Sequence, residues 1–158
     1  MLTIRQILVP IDFSAPSRAA LEHAAGLADR LDATVVVLHT WEQPSYFGPE
    51  GVLIAAPGVV HPGLDEVRRS VERELAQFVA GAALPAGTDL RVVSGRPAEA
   101  ILEAAAEPGI DMIVMGTHGR SGLARMIVGS VAEAVIRHAP CPVLTLRAPQ
   151  GDAEADET

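Results

Sequence analysis

Three glycines and a serine carry the clearest chemistry in this sequence: Gly116, Gly119, Gly129 and Ser130, spaced G-x2-G-x9-G-S. Glycine lets a backbone approach a ligand closely and present its N–H groups without a Cβ in the way. An apolar run, Ile110 to Met115, precedes the motif and reads as a buried strand; Val131 to His138 follows it and reads as a helix. A helix start has unpaired N–H groups and positive dipole character, which suits an anion and most commonly a phosphate. The same glycines could equally form a plain turn between strand and helix, because short glycine motifs recur without ligands.

Other reactive side chains give narrower indications. Arg120 and Arg125 lie in the loop between the glycines, where they could neutralise phosphate charge or simply face solvent, and His118 has the same two options. Asp12 leaves a short apolar strand, a place where an aspartate either meets a ligand or shapes a turn. The five histidines are scattered, without the paired spacing of a zinc site. Cys141 sits between two prolines with no placed base, so it reads as structure and not as a nucleophile.

All 12 basic residues are arginine. A chain without lysine has neither a Walker-type phosphate loop nor Schiff-base chemistry. A net charge of −8 with no basic cluster argues against general nucleic-acid or anionic-membrane binding. With 158 residues, 49% of them hydrophobic, the chain suits one domain with a sizeable core. A single Cys, a short polar start from Met1 to Gln6 and no long apolar run predict a cytoplasmic protein without signal peptide or membrane span.

These residues need elements to position them. Ile7-Leu8-Val9 reads as a first strand, followed by a helix from Ser14, its N-cap candidate, to Leu31, with Pro16 in the first turn. Ala33 to Leu38 is a β-branched run that suits a parallel strand covered on both faces. A helix over 64–80 carries the stripe Leu64, Val67, Val71, Leu75 and Phe78, an Asp65–Arg69 pair and Gly81 as a C-terminal cap. Leu90 to Val93 is a third strand, Pro97 opens a helix to about Ala106, Ile110 to Met115 is the fourth strand and Val143 to Leu146 the fifth. The helix between the last two pairs Glu133 with Arg137. Alternating strands and helices predict an α/β domain with a mostly parallel sheet. Glu42 to Gly63 interrupts the rhythm with Pro, Gly, Tyr46 and Phe47; packing on its own domain is favoured over a partner contact or a flap. Residues 148–158 are acidic and predict a disordered tail after a domain of residues 1–147.

Taken together, Gly116-Thr117-His118-Gly119 through Leu123, Gly129-Ser130-Val131-Ala132, His138 to Leu144 and Ile7 to Ser14 closely resemble the universal stress protein family, over roughly residues 4 to 147. The resemblance implies a doubly wound, Rossmann-like five-stranded parallel sheet of order 3-2-1-4-5 with four helices. Ligands of such sheets bind where the order reverses, beside the carboxyl ends of strands 1 and 4. It also implies ATP as the ligand, since the glycines and serine of the nucleotide-binding members are intact. Pro10, Asp12 and Thr40 would line the nucleoside; Gly116, Gly119, Gly129 and Ser130 would contact phosphate, flanked by Met115 and Val131. Mg2+ or Mn2+ would arrive on the phosphates, and two copies would pair through Val143 to Leu146 as a stress-response dimer. The alternatives are a weak ATP hydrolase and a nucleotide-free dimeric scaffold. A dinucleotide-binding enzyme is disfavoured because Pro10 to Ser14 contains no glycine.

Overall fold

The structure, a computed structural model, describes residues 3–41, 62–117 and 128–147. His118, Gly119, Arg120, Arg125, most of the 42–63 segment and the expected tail lie outside the described residues. Among the described residues nine elements follow one another: β1 Gln6–Ile11, α1 Ala15–Leu31, β2 Thr34–Trp41, α2 Pro62–Val79, β3 Asp89–Ser94, α3 Pro97–Ala105, β4 Met112–Gly116, α4 Ser130–His138 and β5 Val143–Leu146. All strand pairs are parallel and the order is β3-β2-β1-β4-β5, as expected.

Strand alternation sorts the core into two layers. Ile7, Val9, Ile11, Val35 and Val37 pack with Ala20, Leu21, Ala24 and Ala28 of α1 and Leu75 and Val79 of α2. Leu8, Val36, Leu38, Ile113 and Met115 point the other way, onto Ile101 and Ala104 of α3 and Ala132 and Val135 of α4. Both faces of the central strands are therefore covered, which accounts for their unbroken apolar runs. Ser14 caps α1 as expected, its side chain accepting from the Ser17 N–H, and Pro16 lies in the first turn.

Several local expectations are corrected. β2 continues three residues beyond Leu38, because β3 pairs with it as far as Trp41↔Ser94. α2 meets the sheet only through its second half: Leu75 and Val79 are buried while Val67 is exposed. Its ion pair is Arg68–Glu72 at 2.9 Å, not Asp65–Arg69. Gly81 is not among the glycines with positive φ; the chain leaves α2 through an Ala82 N–H to Val79 carbonyl bond of 2.9 Å. Leu31, the last residue of α1, is exposed because it lies beyond Ala28, the last buried residue of that helix. The Glu133–Arg137 pair is present at 2.8 Å.

Candidate functional site

The cleft begins where β1 and β4 part. β1 follows β2 through six register pairs, to Ile11↔His39, but pairs with β4 only at Ile7↔Met112 and Leu8↔Ile113. The Gln6 carbonyl accepts from the Asp111 N–H, so Gln6, Leu8 and Pro10 direct their backbone groups toward β4. Proline has no N–H to donate, and the β1–β4 ladder stops short of Pro10. Pro10 thus helps to open a gap at the carboxyl ends of two neighbouring strands.

On the β1 side the chain turns sharply. Asp12 Oδ1 accepts from the Ser14 N–H at 3.1 Å, and the Ser14 hydroxyl donates to the same oxygen. Asp12 therefore does shape a turn, and it also lines the cavity; its hydrogen bonds among the described residues all fall on Oδ1. Between Asp12 and Ser14, Phe13 has φ +64°, a left-handed conformation uncommon for a bulky residue and typical of sites held by their surroundings. Its ring lies 4.4 Å from that of His39 and 5.4 Å from that of Phe78, with Arg18 stacked 4.1 Å over Phe78.

On the β4 side, Met115 and Thr117 are buried and Gly116 lies against α1. A Cβ at Gly116 would come within 2.7 Å of Pro16 Cβ and 2.9 Å of the Pro16 carbonyl carbon. Packing alone therefore demands glycine there. The Gly129 N–H donates to the Thr117 carbonyl at 2.6 Å, holding together the two ends of the intervening segment.

α4 starts beside that contact. Gly129 is its N-cap at φ −73°, ψ 156°, with no side-chain capping bond, and the first bond of the helix runs from Glu133 N–H to the Gly129 carbonyl at 2.9 Å. The N–H groups of Ser130, Val131 and Ala132 are left without a partner among the described residues. All three residues line one cavity of about 640 Å3, together with Pro10, Asp12, Thr40, Met115, Gly116 and Gly129. Every expected site residue that the structure describes is thus gathered around one space. Among the described residues, Asp12 and Glu74 are the only carboxylates lining it, and no arginine does.

Sequence reasoning missed part of the wall. Phe13, His39 and Trp41 add aromatic rings to the lining, and Val71 of α2 with Pro97 and Ile101 of α3 add apolar surface. Register with β1 was the available signal for His39: extending β2 beyond Leu38 sets it directly opposite Ile11.

A parallel sheet with helices on both faces and a cleft at its strand-order reversal defines a doubly wound α/β protein of the kind that binds ligands at that point. The chain belongs to the universal stress protein family, whose model matches residues 3–147. It is 34% identical over 152 residues to universal stress protein YxiE of Bacillus subtilis, covering 90% of this chain and 98% of that one. The solved structure of UspA from Lactobacillus plantarum superposes with a TM-score of 0.66 at 30% identity, over 90% of this chain and 97% of that one. Two further neighbours share the fold at lower identity: a universal stress protein in complex with cAMP (23%, TM-score 0.60, 92% and 98% covered) and one from Archaeoglobus fulgidus in complex with dAMP (21%, TM-score 0.55, 92% and 98% covered).

No helix among the described residues is long and apolar enough to cross a membrane.

Proposed function

We propose that this chain binds ATP in the cleft between β1 and β4 and acts as a nucleotide-dependent regulatory dimer in a stress response. The observation that carries the proposal is the set of three N–H groups at Ser130, Val131 and Ala132 that have no partner among the described residues and open on a cavity at the strand-order reversal. Such a terminus offers directed donors and a partial positive charge to an anion. A cavity of about 640 Å3 is in the range that small ligands and cofactors occupy. Binding of cAMP and dAMP by two proteins of the same fold is consistent with a nucleotide here.

In this arrangement Ser130 and Val131 take the phosphates, while Gly129 keeps the approach free of a side chain. Met115 and Gly116 form the floor, and Pro10, Asp12 and Thr40 lie toward the nucleoside. Gly119, His118, Arg120 and Arg125 would complete the phosphate side. Because no arginine among the described residues lines the cavity, Mg2+ or Mn2+ carried on phosphate oxygens would supply countercharge.

Dimerisation is proposed through β5, which among the described residues pairs with β4 alone and offers Val143, Leu144 and Leu146 at the edge of the sheet. Exposed apolar edges otherwise invite aggregation. A specific observation favours one alternative, the nucleotide-free scaffold: Gly116 is explained by its contact with Pro16 and needs no ligand.

The test is direct. Protein purified without added nucleotide is denatured in acid, and the supernatant is resolved by anion-exchange chromatography. ATP released near stoichiometrically supports the proposal, and ADP alone favours hydrolysis. An empty protein that also fails to bind added ATP favours the scaffold. Sedimentation equilibrium checks the dimer.

A further inference from the structure

Asp12 lines the cavity, and the residue that follows it holds an uncommon backbone. Phe13 has φ +64°, a conformation open to glycine and asparagine but strained for a bulky side chain. A turn that only joined β1 to α1 would be less strained with glycine at this position. Such strain persists where the surroundings over-determine it.

Those surroundings come from three elements. The Phe13 ring packs on the layer of α1 and α2, with His39 of β2 at 4.4 Å and Phe78 of α2 edge-on at 5.4 Å. Arg18 of α1 covers Phe78 in turn, 4.1 Å from its ring centre. His39 does more than touch Phe13. Its Nδ1 lies 2.7 Å from the Ile11 carbonyl oxygen, which can only accept, so Nδ1 donates to it. One buried imidazole therefore holds both chain neighbours of Asp12, Ile11 through its carbonyl and Phe13 through its ring. The Asp12–Ser14 bonds close the same turn from the other side.

We propose that Phe13 is a positioning residue for the nucleotide site: its anchored ring enforces the left-handed turn that presents the Asp12 carboxylate to the ligand. The inference rests on the nucleotide reading of the cavity. Alanine at this position keeps the strain but loses the anchor, so the turn opens and Asp12 is displaced. Glycine adopts the same φ without strain, so the turn is allowed but not enforced. Phe78 is not among the described residues that line the cavity, so its influence on a ligand passes through Phe13.

The experiment titrates ATP calorimetrically into the full chain and its F13A, F13G, F78A, V79A, D12A and D12A/F13A variants, each checked by circular dichroism and thermal melting. Val79 is a control: it is buried in the same layer, next to Phe78, and does not line the cavity. F13A should weaken ATP by about tenfold, F13G and F78A by about threefold, and V79A by less than about twofold despite its loss of stability. In the D12A background, F13A should add less than about twofold, because its route to the ligand is already gone. Should D12A bind too weakly to titrate, the ranking of F13G above F13A decides. Equal losses in F13A and F13G, or an F13A loss that persists in full without Asp12, would show direct contact and overturn the proposal. Affinity falling in V79A as much as in F78A would reduce the cluster to general packing and also overturn it. Either result leaves the ATP reading standing, whereas absence of ATP binding by the wild type overturns both.

Discussion

Gly116 and Gly129 belong to one motif but should fail in opposite ways when given a side chain. At Gly116, an added methyl would lie 2.7 Å from Pro16 Cβ and 2.9 Å from the Pro16 carbonyl carbon, where carbons prefer about 3.5–4.0 Å. Both neighbours are stiff, one in a pyrrolidine ring and one in the backbone of α1. Relief therefore requires β4 and α1 to separate, and overpacking of this kind costs about 1–3 kcal/mol. Taking ~2 kcal/mol, the melting temperature of a chain this size should fall by about 4–8 °C in G116A. At Gly129 the backbone, at φ −73° and ψ 156°, is one that any residue adopts. G129V should then lose about 1 kcal/mol or less, the difference between Gly and Val at an N-cap. Thermal melts followed by far-UV circular dichroism, without nucleotide, read both variants. A G116A melting temperature within about 1 °C of wild type would refute the packing argument, because the clash would have been absorbed without cost.

Other outcomes follow from single contacts. Removing the cap of α1 in S14A should cost about 1 kcal/mol, or roughly 2–4 °C in melting temperature, and an unchanged melt would show that the cap contributes nothing. The exposed Arg137–Glu133 pair should matter little: R137A is expected to change stability by about 0.5 kcal/mol or less in urea unfolding, and a loss several times larger would contradict that. Burial, assisted by the charge of Asp111, pushes the Cys141 thiol above its ordinary range. The fold thus holds this proton to higher pH than the unfolded chain does, so stability should fall as pH climbs from the ordinary thiol value through the raised one. C141A should remove that part of the slope, and Cys141 should label with a maleimide at pH 8 more slowly than a free thiol; equal rates would contradict the shift.

Much of the fold is legible in local pattern. Unbroken apolar strands alternating with helices imply a covered parallel sheet, and Ser14 with Pro16 marks the start of α1 without reference to anything distant. The cleft is legible at its glycines and at Asp12, where residue type and position already narrow the chemistry. What escaped depends on pairing across the sheet. The extension of β2 to Trp41 follows from its neighbour β3, and His39 gains its meaning only when Ile11 lies opposite. Gly116 is the sharpest case: its constraint comes from Pro16, a hundred residues away in the chain, and no local spacing announces it. The burial of α2 only at Leu75 and Val79 likewise depends on where the sheet ends and not on the helical stripe.

The central claim is that the open N-terminus of α4 receives the phosphates of ATP. Calorimetric titration of ATP with Mg2+ into the wild type and G129V addresses it most directly. The account predicts saturable binding near one nucleotide per chain in the wild type and its loss in G129V, with the far-UV spectrum preserved. Equal affinity in the two proteins, or no binding by the wild type, would contradict it.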